Sequence, residues 1–202
     1  MNQDFIYLAS ASPRRRELLA QLGLEFEVRP AHIAEIRAEG ESVADFVARM
    51  ALDKAKVVSA RSGGAQPVIG ADTVVVVDGE MLGKPANREQ GLAMLEKLSG
   101  RVHEVFTAVA LVHAEQSSVE VHVSKVWFKS LDAGERAAYW ETGEPADKAG
   151  AYAIQGVGAV LVEKLEGSFS GVMGLPLHVT ARMLAEKGLK VPVISGTSSA
   201  HA

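Results

Sequence analysis

Two stretches of the chain place charged residues where local structure does not favour them, and the first is Ser10-Ala11-Ser12-Pro13-Arg14-Arg15-Arg16. Its Ser-Pro pair is typical of a helix start. A helix N-terminus carries partial positive charge, so each arginine there is unfavourable by up to about 1 kcal/mol at low salt. Backbone N–H groups, serine hydroxyls and guanidinium groups at one helix start are suited to a bound polyanion such as a phosphate chain. The alternative is a solvated basic turn that pairs with Glu17 or Glu25.

The second stretch is an apolar run, residues 68–77, that contains a single acidic residue, Asp72. Burying an ionised carboxylate without a partner costs several kcal/mol, so Asp72 requires a counter-charge, a proton or a metal ion. Gly70 and Ala71 leave room for a close approach to the backbone, and Thr73 adds a hydroxyl beside the carboxylate. The alternative is that Asp72 caps a bend or a bulge.

Two further segments carry polar residues without a clear structural purpose. Lys84 lies in Gly83-Lys84-Pro85 after a predicted hairpin, which is able to bring it back toward Asp72. The segment 145–156 combines charges, small residues, Tyr152 and Gln155 with few apolar anchors. Loops of this kind are either mobile or line a site.

Composition limits the classes of function. The 202 residues suit one large domain or two lobes around a shared cleft. A net charge of −4 with 5% aromatics does not favour binding to nucleic acid or to an anionic membrane. The absence of Cys excludes disulfides, thiol catalysis and Cys-ligated zinc. With no apolar run long enough to cross a bilayer and no signal-peptide pattern at the start, a cytoplasmic location is expected.

Helices that alternate with strands, some of them in hairpins, predict an α/β fold with a mixed sheet flanked by helices. The predicted strands are Phe5–Ala9, Val68–Val77, His103–Val112, Val119–Lys129 and Ala159–Lys164, with a hairpin at Asp78-Gly79. The predicted helices start near Pro13, Ser42, Glu89, Asp132 and Leu175. Ser12 is the expected N-cap of the first, and Ser42 with Asp45 and Asp132 with Glu135 are the expected capping pairs of two others. Residues 1–194 are expected to form one domain with two lobes, and residues 195–202 a disordered tail.

Taken together, the polar segments resemble the Maf family of nucleotide pyrophosphatases. The resemblance runs from about residue 5 to residue 188 and depends on the order and spacing of the whole set, since each motif alone is weak. The matching segments are Leu8-Ala9-Ser10-Ala11-Ser12-Pro13-Arg14-Arg15, Gly70-Ala71-Asp72-Thr73, Gly83-Lys84-Pro85, Leu98-Ser99-Gly100, Asp147-Lys148-Ala149-Gly150-Ala151-Tyr152, Ile154-Gln155-Gly156 and Gly174-Leu175-Pro176.

The resemblance implies an elongated α/β fold with a deep cleft between two lobes, related in architecture to the inosine triphosphate pyrophosphatases. It also implies a divalent metal, usually Mg²⁺ or Mn²⁺, and frequent homodimers. By position, Asp72 corresponds to the residue assigned as proton acceptor. The residues that match polar cleft positions are Ser10, Arg15, Glu35, Lys54 and Lys84. The residues that match positions linked to base choice are Arg14, Thr73 and Gln155.

An arginine directly after Pro13, with this form of the 147–155 loop, resembles the branch of the family that acts on dTTP and UTP. The branch acting on 7-methyl-GTP tends to have an aromatic residue there. One departure concerns His32-Ile33-Ala34-Glu35, where many family members have Asp-Ile-Asp-Glu. Either the two missing acids are peripheral, or metal binding is weaker here than in relatives.

The expected reaction is hydrolysis between the α- and β-phosphates of a nucleoside triphosphate substrate, giving the monophosphate and pyrophosphate. The expected substrates are dTTP, UTP and modified pyrimidine triphosphates. Asp72 and Glu35 are expected to hold the metal, and Asp72 also to orient or deprotonate the water. The cations expected to stabilise phosphate charge are Lys54, Lys84 and Arg15. Thr73 and Gln155 can donate and accept hydrogen bonds to the base, whereas Arg14 only donates.

Two other functions remain open. The same fold acting on a modified purine triphosphate is one alternative. A non-catalytic nucleotide-binding regulator connected to septum formation is the other.

Overall fold

The computed structural model describes residues 5–189 and residue 191, and within them seven strands form one mixed sheet. The strands are β1 (Phe5–Leu8), β2 (Glu25–Val28), β3 (Val68–Val77), β4 (Glu80–Leu82), β5 (Val102–His113), β6 (Gln116–Phe128) and β7 (Val162–Glu166). Their order in the sheet is β2-β1-β3-β5-β6-β7, with β4 paired to β3. β1 runs parallel to β2 and β3, whereas the β3–β4 and β6–β7 pairs are antiparallel. The predicted mixed α/β sheet is therefore confirmed.

Six α-helices accompany the strands in the described part of the chain. They are α1 (Pro13–Ala20), α2 (Val43–Arg61), α3 (Arg88–Leu98), α4 (Ala133–Glu141), α5 (Phe169–Val172) and α6 (Leu177–Glu186). The predicted caps are confirmed: the Ser12 side chain accepts from the Arg15 N–H and that of Ser42 from the Asp45 N–H. At α4, Asp132 and Glu135 form the reciprocal capping box. None of these helices is long and apolar enough to cross a membrane.

Three details differ from the sequence prediction. β2 and α5 were not predicted, because β2 is a short strand at the edge of the sheet and α5 is only 4 residues long. The last strand begins at Val162, later than predicted, because residues 156–161 form a 3₁₀ helix. The Glu144 carboxylate accepts from the N–H groups of Val157 and Gly158 at 3.0 and 2.8 Å and holds that turn. The predicted tail, residues 195–202, lies outside the described residues.

The chain divides into two compact units. The first contains the residues up to Asp72, Ala108–Val121 and the residues from Gly174 onward. The second contains Thr73–Thr107 and His122–Met173. The boundary therefore falls within β3, between Asp72 and Thr73.

In the first unit, helix α2 packs on strand β3 at backbone distance. A Cβ atom at Gly70 would lie 2.1 Å from the Ala51 carbonyl oxygen and 2.9 Å from the Ala55 amide nitrogen. Both contacts are to backbone, which is unable to move aside as a flexible side chain would. Only glycine allows this approach, which brings the middle of α2 next to the middle of β3.

The second unit has an apolar core around three rings. The rings of His103, Phe128 and Tyr152 meet edge to face, with centroids 4.7–5.2 Å apart. His103 Nε2 lies 2.8 Å from the Tyr152 hydroxyl, while its Nδ1 is buried without a hydrogen-bond partner among the described residues. Burial disfavours the charged imidazolium and lowers the pKa of His103 to about 4.

Replacing Gly70 with alanine is expected to destabilise the fold by about 3 kcal/mol, because the new methyl group overlaps backbone atoms of α2. Urea unfolding followed by circular dichroism would measure the loss. Gly83→Ala is the matched control, since a Cβ there meets nothing within 4 Å. Equal effects of the two substitutions would contradict the close approach of α2 to β3.

His103 is expected to make stability depend on pH. The unfolded chain binds a proton at this residue below about pH 6.5, whereas the folded chain binds it only below about pH 4. Its contribution therefore lowers stability as the pH falls through this window, by about 3 kcal/mol in total. Urea unfolding of the wild type and of His103→Gln across pH 4–7 isolates this effect. His178→Gln, at an exposed position of α6, controls for loss of a histidine. Parallel curves for wild type and His103→Gln would refute the assignment.

Candidate active site

In the first unit, one ammonium group lies between two carboxylates. Lys54 Nζ is 2.7 Å from Asp72 Oδ1 and 2.6 Å from Glu35 Oε1. Lys54 is only 8% exposed and Asp72 only 6%, so this ion pair is largely removed from water. The counter-charge that burial of Asp72 requires is therefore supplied by α2.

The position of Glu35 depends on hydrogen bonds between Arg49 of α2 and the irregular segment that precedes the helix. These bonds, to Glu41 and Ile36, are called the clasp below. Arg49 donates to both carboxylate oxygens of Glu41, each at 2.7 Å, and to the Ile36 carbonyl at 2.9 Å. The hydrogen bonds from Arg49, followed by one from the Ala38 N–H, lower the pKa of Glu41 to about 2. Because Glu35 directly precedes Ile36, the clasp holds this exposed carboxylate against the helix that carries Lys54.

Arg15, in the first turn of α1, lies in the same electrostatic environment. Its Nε donates to the Gly174 carbonyl at 2.8 Å, and another guanidinium nitrogen donates to Ser10 Oγ at 3.3 Å. Arg15 as a residue is half-buried, and its guanidinium group at the end of the side chain is removed from water. This desolvation lowers the pKa of Arg15. Asp72 raises that pKa, Arg14 lowers it further and Glu35 raises it. Arg15 nevertheless stays protonated at neutral pH.

This cluster is positively charged in a chain whose net charge is −4. It contains three cations and two carboxylates: Arg14, Arg15, Lys54, Glu35 and Asp72. The start of α1 adds partial positive charge from its backbone N–H groups. Arg16, the third arginine of the run, is exposed. Local charge of this sign, next to serine hydroxyls and a helix start, is suited to phosphate groups.

The same cluster offers few ligands for a metal. Among residues 5–189 and 191, no group of three or more His, Asp or Glu side chains is placed to hold an ion. Asp72 and Glu35 each contact Lys54 through one oxygen, and a carboxylate has lone pairs on both oxygens. Mg²⁺ is usually held by one or two carboxylates together with substrate phosphates. Asp72 and Glu35 therefore fit a metal ion whose remaining ligands come from a triphosphate. They do not fit a site in which the protein supplies all the ligands.

The other predicted site residues lie in the second unit. The Thr73 hydroxyl is 3.0 Å from that of Thr107. Lys84 is exposed, and the carbonyl of the preceding Gly83 accepts from the Gly150 N–H at 3.0 Å. Gln155 is half-buried and precedes the 3₁₀ helix at 156–161.

The 144–158 segment is held by side chains that the sequence did not single out. Glu144 accepts from the Tyr139 hydroxyl at 2.7 Å in addition to two N–H groups of the 3₁₀ helix. The Tyr139 hydroxyl in turn accepts from the Ala153 N–H at 3.1 Å. The backbone around Gln155 is thus fixed from both sides by one hydrogen-bonded pair, Tyr139 and Glu144.

Comparison with known proteins identifies relatives over almost the whole chain. The profile of the family described as "Maf-like protein" matches residues 5–187. A dTTP/UTP pyrophosphatase of Hahella chejuensis is 48% identical over 92% of this chain and 94% of its own length. The protein of the same name in Alkalilimnicola ehrlichii is 52% identical over 90% of this chain and 92% of its own length.

A solved structure, the Ham1 protein of Staphylococcus aureus, is similar at 14% identity and a TM-score of 0.44 over 61% of this chain and 71% of its own. The family profile spans both units, and it includes both the Lys54 cluster and the Gln155 segment. The chain therefore belongs to the Maf-like protein family.

Proposed function

We propose that the protein hydrolyses dTTP and UTP to the corresponding monophosphate and pyrophosphate. The observation that carries the proposal is the buried Asp72–Lys54 pair with Arg15 in the same electrostatic environment. The names of relatives that are about half identical to this chain supply the substrate class.

The triphosphate binds at the start of α1 and against Lys54. Arg15 is held in place before substrate arrives, because the Gly174 carbonyl and the Ser10 hydroxyl already fix its guanidinium. A preorganised cation in a water-poor setting stabilises charge on phosphate oxygens more strongly than a solvated one does. Arg14, the neighbouring cation, supplies a further donor.

Asp72 takes the proton of the attacking water or orients that water toward the α-phosphorus. Its fixed position follows from Lys54, which binds one oxygen, and from the close packing of β3 on α2. A divalent metal, Mg²⁺ or Mn²⁺, held by Asp72 and Glu35, would withdraw charge from the phosphate oxygens and lower the pKa of bound water. Lys54 keeps both carboxylates in place when the substrate leaves.

Three further residues that match the family's motifs complete the proposal, two for the base and one for phosphate charge. Thr73 and Gln155 form hydrogen bonds to the pyrimidine edge, and Lys84 binds phosphate charge. For these three residues the support is their match to the family's motifs. Homodimerisation and a cytoplasmic location likewise stay predictions.

Asp72→Asn is expected to lower kcat for UTP by at least about 100-fold while nucleotide binding stays measurable, because the amide retains the shape but does not take up the proton. Pyrophosphate release measures turnover, and calorimetry with a non-hydrolysable UTP analogue measures binding. Asp78→Asn, an exposed acid in the β3–β4 hairpin, is the control and should keep wild-type turnover. Full activity of Asp72→Asn would exclude Asp72 as the base.

Lys54→Met is expected to cost about 3 kcal/mol of folding stability, since it leaves Asp72 buried without its ammonium partner. It should also lower kcat/KM for UTP at least about tenfold, through loss of a phosphate-binding cation. Lys56→Met, at an exposed position of the same helix, is the matched control.

In the Lys54→Met/Asp72→Asn double variant, stability should exceed the sum expected from the single changes, because the buried Asp72 carboxylate that needed Lys54 is then absent. Strict additivity in urea unfolding would show that the two side chains do not interact.

A further inference from the structure

The segment that carries Glu35 has no secondary structure of its own to hold it. Residues 29–42 form neither helix nor strand, and Glu35 and Ile36 are both exposed. The Ile36 side chain is 73% exposed, so apolar packing of that residue does not fix the segment either. Polar contacts therefore determine where the Glu35 carboxylate lies.

The clasp supplies such contacts at both ends of the stretch 36–41. Arg49 Nε donates to one oxygen of the Glu41 carboxylate at 2.7 Å, and one terminal nitrogen of Arg49 donates to the other oxygen at 2.7 Å. That same nitrogen also donates to the Ile36 carbonyl at 2.9 Å, so both of its protons are used. A guanidinium group offers this planar fork of donors, whereas a lysine ammonium on a flexible stem does not.

The Glu41 carboxylate is well placed to hold Arg49. The Glu41 side chain is only 11% exposed, and it also accepts from the Ala38 N–H at 3.0 Å. Arg37 Nε donates to the Glu41 carbonyl at 2.8 Å, which closes the turn between these two residues. A bidentate pair with a largely enclosed carboxylate is stronger than an ordinary exposed ion pair.

Two successive residues of the segment are thereby bound to two points of α2. Ile36 is bound to Arg49 through its carbonyl, and Glu35 is bound to Lys54 at 2.6 Å. Arg49 and Lys54 are five residues apart, which corresponds to about 7.5 Å along a helix axis. Fixing both points leaves the Glu35 carboxylate little freedom to move away from Lys54 and Asp72.

We propose that Arg49 is a positioning residue of the active site, which holds Glu35 where Glu35 and Asp72 bind a divalent metal. This inference rests on the proposed function, which gives the two carboxylates that role. Coordination uses one lone pair of a carboxylate, which has about four, so other contacts of Glu35 do not prevent it. Residues that orient metal ligands typically change metal affinity or activity by about 10- to 100-fold when they are replaced.

The test is the concentration of Mn²⁺ that gives half-maximal hydrolysis of UTP. Arg49→Met is expected to raise this concentration at least about tenfold, because Glu35 is then no longer held against α2. Turnover at saturating Mn²⁺ should stay close to that of the wild type, since Arg49 acts only through Glu35. A general structural defect would instead lower turnover at every metal concentration, and that result would overturn the inference.

Metal binding without turnover supplies a second measurement. Electron paramagnetic resonance of Mn²⁺, with a non-hydrolysable UTP analogue bound, should show weaker binding to Arg49→Met by a similar factor.

Arg29→Met is the matched control. Arg29 also makes a two-point pair with a glutamate, Glu27, at 2.8 and 3.2 Å, and its side chain is 37% exposed against 38% for Arg49. This pair lies in β2 and the residue after it, outside the clasp, so the control should keep wild-type metal binding. Equal weakening in the control would mean that loss of any such arginine has this effect, which would overturn the inference.

Coupling to Glu35 distinguishes positioning from an independent contribution of Arg49. In a Glu35→Gln background the ligand is already lost, so adding Arg49→Met should not raise the half-maximal Mn²⁺ concentration further. A full second increase would contradict a role that acts through Glu35. Should Arg49→Met fail to fold, Glu41→Gln weakens the same pair from the other side: weaker Mn²⁺ binding supports the inference, and unchanged binding refutes it.

The outcomes separate the inference from the function beneath it. An active wild type whose metal dependence is unchanged by Arg49→Met overturns the role of Arg49 and leaves the pyrophosphatase activity standing. A wild type that hydrolyses neither UTP nor dTTP at any Mn²⁺ concentration overturns the proposed function, and the inference with it.

Discussion

The buried ion pair between Asp72 and Lys54 is the constraint on which the rest of the first unit depends. A carboxylate in the middle of an apolar strand is tolerated only with a counter-charge close by. That requirement fixes how near α2 must come to β3, and Gly70 is the residue that allows it. It also fixes where Glu35 is held, since the same ammonium group binds both acids. Structure and proposed chemistry thus share one element: the lysine that makes burial of the acid tolerable also attracts the substrate's phosphates.

The positive cluster resolves a conflict between the global and the local charge of the chain. Long-range attraction of a triphosphate by a protein with a net charge of −4 is weak. Binding must therefore come from short-range contacts, and Arg15 is prepared for them by two protein acceptors. In the proposed function, the unfavourable charges at the start of α1 are retained because they bind the phosphates of the substrate.

Features that depend on local sequence could be predicted, and those that depend on distant partners could not. The caps at Ser12 and Ser42 were predicted correctly because each serine oxygen accepts from an N–H group only three residues along the chain. The need of Asp72 for a partner was also evident, since an acid in an apolar run has few alternatives. Its partner was not evident from pattern alone, because Lys54 lies 18 residues away in a helix where most lysines are solvated. Only resemblance to a known family singled it out.

The hydrogen bond of Thr107 was even harder to predict from the sequence. A β-branched residue within a strand needs no further explanation from propensity, and the carbonyl that accepts from its hydroxyl, that of Gly171, is 64 residues distant. The boundary of β7 was placed wrongly for a related reason, because a carboxylate from Glu144 holds the preceding residues in a turn.

The clasp of Arg49 on Glu41 also bears on how the protein responds to acid. Because the pKa of Glu41 is about 2, the segment that carries Glu35 stays fastened to α2 in moderately acidic solution. The ring core of the second unit is more vulnerable, since the pKa of His103 is about 4 and its imidazole is enclosed by apolar groups. Acidification should thus destabilise the ring core of the second unit while the Arg49–Glu41 contact of the first unit stays formed.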